Sequence, residues 1–108
     1  MPYEQQIEER IDALPGTAEL QKNKMFGGVC YLTGGKMAYG IYKSYIIVRV
    51  GTKAAEEFLL RESHTHPFDI TGKVMKAWVM VAPGGYETED QLMAWLERGR
   101  TFAAALDR

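Results

Sequence analysis

The chain has 108 residues, 46% hydrophobic and 25% charged, the size and balance of one globular domain with one core. Its 13 basic side chains stand against 14 acidic ones, for a formal net charge of −1; that lacks the basic excess of a nucleic-acid binder and argues against direct nucleic-acid recognition. The single cysteine, Cys30, excludes an intrachain disulfide, the acidic N-terminus is no signal peptide, and no apolar run reaches the roughly 18–20 residues of a membrane span, so a cytoplasmic protein without a membrane partner is expected.

Tyr3, Ile7, Ile11 and Leu14 recur at helical spacing and predict a helix over residues 3–14, stopped by Pro15-Gly16. Thr17–Asn23 reads as a polar connection. Three strands follow. The first, Lys24–Leu32, carries the pair Gly27-Gly28, which inside a strand signals a bulge or a close backbone approach. Thr33-Gly34-Gly35-Lys36 is a hairpin signal. Met37–Tyr42 and Tyr45–Val50 are the second and third strands, joined at Lys43-Ser44, so the three form an antiparallel meander.

After Gly51 the pattern turns helical. Thr52 is a plausible N-cap for a helix over 53–62, with Ala55, Phe58 and Leu59 on its apolar stripe. His66–Asp69 reads as a short strand and Val74–Val81 as a longer one, with Ala77, Val79 and Val81 on one face and Trp78 and Met80 on the other. Pro83-Gly84-Gly85 ends it. Thr88-Glu89-Asp90-Gln91 has the form of a capping box, and Leu92, Trp95, Leu96, Gly99, Phe102, Ala103 and Leu106 give the last helix a core-facing stripe. The predicted fold is α+β: a two-layer sandwich of helix, three-strand antiparallel meander, helix, one or two strands, and helix.

Each candidate for chemistry has a structural counterpart. Gly27-Gly28, beside Phe26, is either a strand bend or backbone exposed to a ligand; no Lys-Ser/Thr follows, so it is not a phosphate loop. Arg49 shares a strand face with Tyr45 and Ile47. It is either solvated there or part of a cationic and aromatic patch of Phe26, Arg49, Lys76 and Trp78, residue types that favour an anionic or peptide partner. His64 and His66 are weak metal candidates, because zinc sites use three or four ligands and no others stand at suitable spacing. Cys30, between Val29 and Tyr31, reads as a packed apolar side chain rather than a nucleophile. No catalytic fingerprint is present, and no cofactor or metal is expected. Tyr31, Tyr39, Tyr42 and Tyr45 are cross-strand neighbours whose exposed remainder would suit self-association.

Four motifs in order resemble the N-terminal domain of the TfoX (Sxy) family of bacterial competence regulators: Lys24-Met25-Phe26-Gly27-Gly28, Ile46-Ile47-Val48-Arg49-Val50, Pro67-Phe68-Asp69, and Met75-Lys76-Ala77-Trp78, followed by the acidic-capped helix with Trp95. The likeness runs over residues 5–106. It implies a sandwich similar to secretion-chaperone-like folds and a role in regulating DNA-uptake genes. Family regulators carry a second, helical domain that is not expected here, and Ala77 stands where the family usually has glycine. The expected function is therefore a non-enzymatic regulatory or protein-interaction module, with another protein or a second copy as partner; the alternative is an anionic-ligand domain using the sheet near Phe26, Gly27, Gly28, Arg49, Lys76 and Trp78.

Overall fold

A computed structural model of the chain describes residues 4–14, 20–25, 27–69 and 75–106. In chain order these form α1 (Gln5–Asp12), β1 (Gln21–Met25), β2 (Gly28–Thr33), β3 (Lys36–Tyr42), β4 (Tyr45–Arg49), α2 (Thr52–Arg61), β5 (Thr65–Pro67), β6 (Trp78–Val81), a 3-10 turn (Pro83–Gly85) and α3 (Glu89–Ala105). The α+β class and the helix–meander–helix layout are as expected. The strands make one antiparallel sheet in the order β1-β2-β3-β4-β6-β5. Tyr3, Pro15-Gly16, Phe26 and Val74, each part of an expected element or site, lie outside the described residues.

One correction concerns the opening of the sheet. The stretch expected as a single strand, Lys24–Leu32, is two: Met25 pairs with Gly28, so the chain reverses between them. Gly27 takes a φ of 74°, a conformation that a tight hairpin needs and that side chains disfavour. The next two connections are also two residues long. Gly34 and Gly35 have φ of 57° and 79°, and Lys43 has 55°. Three tight hairpins in succession leave only an up-and-down order for β1 to β4. The meander thus has four strands, with β1 as its polar edge.

Side-chain alternation decides which face of the sheet the helices cover. Val29, Tyr31, Tyr39, Ile41, Ile46, Val48, Val79 and Val81 join Ile7 and Ile11 of α1, Ala55 of α2 and Leu92, Trp95, Leu96 and Ala103 of α3 in one buried core. The ladder between β2 and β3 slips at Ala38, because Tyr31 pairs with Tyr39 while Leu32 pairs with Met37. The extra residue is a bulge. α3 crosses there on Gly99, where an added Cβ would stand 2.4 Å from the Ala38 carbonyl oxygen.

Polar contacts pin α1 in place. The Tyr31 hydroxyl donates to Asp12 at 2.9 Å, and the Lys22 ammonium donates to Glu8 and Asp12 at 2.8 Å each. Arg10 donates to the Tyr86 carbonyl at 2.9 Å and lies 5.5 Å from the centre of that ring. The Trp95 indole N–H donates to the Gly85 carbonyl at 3.0 Å, tying α3 to the 3-10 turn.

The capping box at α3 forms as its sequence predicts, with Gln91 N–H on the Thr88 hydroxyl at 3.1 Å and Thr88 N–H on the Gln91 side chain at 3.0 Å. Thr88→Ala is expected to cost about 1 kcal/mol, read as a lower urea midpoint with unchanged slope. At α2 the expected cap is corrected: Gly51, with φ of 94°, occupies the N-cap position and Thr52 is the first helical residue, with no side-chain cap bond. The Phe102 ring packs where a Gly51 side chain would be, 2.7 Å from an added Cβ. The strand expected over Val74–Val81 starts at Trp78, because Met75–Trp78 is a turn closed by Trp78 N–H on the Met75 carbonyl at 3.1 Å.

Candidate functional site

The sheet face opposite the helices carries a second apolar cluster. Ile47, Phe68, Trp78 and Met80 are buried in it, with Met37, Tyr42, Tyr45 and Ala77 packed around them. Alternation puts Ile47 and Tyr45 of β4 there, and Trp78 and Met80 of β6 beside them. No residue of α1, α2 or α3 belongs to the cluster. Phe68, just past β5, packs against Trp78 with ring centres 5.7 Å apart and planes tilted by 57°.

Arg49 ends β4 directly opposite Trp78 in the ladder. Its guanidinium lies 5.5 Å from the centre of the Trp78 ring and 5.9 Å from that of Phe102. It is half-buried, and its Nε is fully buried with no hydrogen-bond partner among the described residues. A buried donor left unpaired calls for an explanation, since such groups cost about 1–3 kcal/mol. Two aromatic faces supply part of the offset, because a cation over a ring gains roughly 0.5–2 kcal/mol.

The candidate residues divide. Arg49 and Trp78 come together. Lys76 sits exposed in the Met75–Trp78 turn, adjacent along the chain. Gly28 is buried at the start of β2, in the row that runs through Tyr42 to Tyr45, at the opposite end of the sheet from Arg49. From strand spacing and rise the two are roughly 16 Å apart. Gly27 lies beyond Gly28 in the exposed hairpin turn, and Phe26 is outside the described residues. Phe68 and Phe102 are the neighbours of the Arg49–Trp78 pair that the sequence reading did not assign to it. Phe68 stood in a motif, and Phe102 stood on a core stripe; neither carried a local sign of meeting Arg49.

The histidines take different surroundings. His64 lies before β5 with its ring against Gly84, where an added Cβ would stand 2.5 Å from the imidazole, and with its own Cβ beside Gly85, 3.1 Å from an added Cβ there. It borders a polar recess of about 230 Å³ with Arg61, Gln91 and Trp95. His66 is on β5 and meets Tyr45 edge-on at 5.9 Å. Among the described residues no group of three His, Cys, Asp or Glu is placed to hold a metal.

Cys30 is buried on β2, and burial pushes its thiol pKa up to about 11 from 9.0. That direction opposes nucleophile activation. Three strands separate β2 from β5, so the thiol and His66 are about 19 Å apart by strand spacing. Burial also pushes the Tyr86 hydroxyl up to about 12 and, helped by the Asp12 hydrogen bond, raises that of Tyr31 further. For such groups the folded state holds its proton after the unfolded chain has lost it. Their stabilisation is complete below the unfolded pKa and disappears as pH rises through the folded one. Urea unfolding is therefore expected to show stability falling from pH 9 to 11 by about 2 kcal/mol on account of Cys30. Cys30→Ala removes that leg and leaves the tyrosine decline above pH 10; an unchanged slope between pH 9 and 10 would show the thiol to be accessible.

No helix among the described residues is long and apolar enough to cross a membrane. No curated protein and no solved structure matches the chain. The TfoX N-terminal domain family model matches residues 12–103, a span that includes the hairpin turn, the Arg49–Trp78 pair and most of α3. By that match over most of its length, the chain belongs to the TfoX N-terminal domain family.

Proposed function

We propose that this domain is a non-enzymatic interaction module, cytoplasmic and regulatory, that uses the sheet face opposite its helices to hold an acidic segment of a partner protein. The observation that carries the reading is Arg49. Its guanidinium lies 5.5 Å from the centre of the Trp78 ring, and among the described residues it has no carboxylate partner and its buried Nε has no hydrogen-bond partner. Trp78 lies beside it, and the cluster continues along the same face through Phe68, Met37 and, toward the far end of β4, Tyr42 and Tyr45, with aromatic residues and Met enriched at protein interfaces. A partner carboxylate would meet the guanidinium, while apolar side chains beside it would cover the half-exposed tyrosines. Cys30, buried with a raised pKa and remote from His66, supports the non-enzymatic side of this reading. Family membership supports a regulatory setting, and the near-neutral charge supports protein rather than nucleic acid as the partner.

The second reading, a small anion on Arg49, is favoured by the same unpaired Nε. Affinity capture with wild type and with Arg49→Met, followed by calorimetry of each purified partner against both, separates the two. An acidic protein partner whose binding weakens at least tenfold supports the proposal. Partners that bind both forms equally refute it, and a second copy found by light scattering makes the face a dimer contact.

A further inference from the structure

Helices α2 and α3 leave a groove between them, on the helix side of the sheet, that shares Phe102 with the surroundings of Arg49. It measures about 520 Å³, within the roughly 300–1,000 Å³ of small-molecule sites. It is lined by the apolar Val50, Ala54, Phe58, Phe102 and Ala105 and by the polar Thr101, Arg98 and Glu97, the last of these neutralised by its ion pair with Arg100. A second basin of about 450 Å³ shares Val50, Ala54 and Phe102 and continues it past Lys53 and Glu57. Those two charges stand four residues apart on α2 and offset one another.

Arg98 is the side chain that gives this apolar groove a chemical preference. Its guanidinium lies 5.0 Å from the centre of Phe58 and 4.7 Å from that of Trp95, so two aromatic rings hold it in place at the groove wall. Among the described residues it has no carboxylate partner; the neighbouring Glu97 is paired with Arg100. A guanidinium held beside aromatic rings without a carboxylate partner is suited to bidentate contact with a carboxylate. One unpaired cation beside an apolar trough calls for one negative charge on an apolar body.

We propose that the α2–α3 groove binds a small amphipathic monocarboxylate, its acyl or aryl body against Phe58 and Phe102 and its carboxylate on Arg98. Calorimetry with octanoate and, as the uncharged control, 1-octanol tests this on the full chain. Wild type is expected to bind one octanoate saturably, about tenfold tighter than octanol, as a charge-assisted contact gives. Arg98→Gln should erase that preference, Arg98→Lys should keep most of it, and Thr101→Trp, which fills the lip from the exposed side of α3, should remove both ligands. If Arg98→Gln shifts the melting curve, the loss of the wild-type preference on raising salt takes its place as the readout. No saturable octanoate binding at millimolar concentration, binding untouched by Thr101→Trp, or a preference that survives Arg98→Gln would each overturn the assignment.

Discussion

Gly28→Ala is expected to lower stability by about 3 kcal/mol, the upper end of what overpacking a well-filled site costs, and to drop the melting temperature by roughly 10–20 °C for a domain of this size. The cause is contact with backbone. An added Cβ at Gly28 would lie 2.0 Å from the Ile41 carbonyl oxygen and 3.2 Å from its carbon. A flexible side chain could swing aside, but this carbonyl belongs to β3, whose ladders to β2 and β4 hold it on both sides. Relief requires β2 and β3 to part at the end where the first hairpin enters the sheet. Gly27 is the control. It is exposed, and its φ of 74° is its requirement; Gly27→Asn should cost only a few tenths of a kcal/mol and Gly27→Ala about 1 kcal/mol, because asparagine tolerates the left-handed region. Urea unfolding of the three variants checks the order. A Gly28→Ala protein as stable as wild type but impaired in partner capture would mean that the glycine exposes backbone to a ligand rather than admitting a neighbouring strand.

These two glycines also show where the sequence was legible and where it was not. Strand β4 announced itself through Ile46, Ile47 and Val48, and α3 through its capping box and apolar stripe, because those signals are local and agree with the tertiary packing. The first hairpin was hidden. β1 is Gln-Lys-Asn-Lys-Met, a polar edge strand with no apolar alternation to mark it, as edge strands are when charge guards them against further pairing. The run from Met25 to Leu32 meanwhile reads as unbroken strand, since the reversal between Met25 and Gly28 carries no polar punctuation. The cap of α2 was misplaced by one residue for a related reason: Thr52 has the chemistry of an N-cap, but Gly51 alone permits the positive φ and the close approach of Phe102. The site was half legible. Arg49 and Trp78 each stood out, and their pairing followed once β4 and β6 were neighbours. Phe102, 53 residues further along the chain from Arg49, could be read as core but not as the second wall around its guanidinium, because a contact of that range leaves no trace in either segment. His64 and His66 share a face only if both lie on the strand, and β5 starts between them.

Arg49→Met is expected to leave stability within about 1 kcal/mol of wild type and to weaken the acidic protein partner at least tenfold. The first half follows from two opposed contributions. The unpaired, buried Nε costs about 1–3 kcal/mol, and the contacts with Trp78 and Phe102 return roughly 0.5–2 kcal/mol each. Methionine keeps the length and the contact with both rings, gains a sulfur that packs well on aromatics, and removes the orphan donor, so the sum stays near zero. Arg49→Ala lacks that compensation and should lose about 1–2 kcal/mol through the space left between the two rings. Trp78→Ala is a poor probe of function, because truncating a buried tryptophan costs about 3–5 kcal/mol and would unfold much of a domain this small. The second half follows from the role assigned to the guanidinium: a partner carboxylate that meets methionine is desolvated without a counter-charge, a loss of about 2–5 kcal/mol at an interface. Denaturation curves and partner isotherms on the same Arg49→Met preparation decide the matter together. A stable protein that no longer binds places Arg49 in the interface. A protein several kcal/mol less stable shows that the guanidinium holds β4, β6 and α3 together, and a stable one that binds as before leaves the open face of the sheet without a role in recognition.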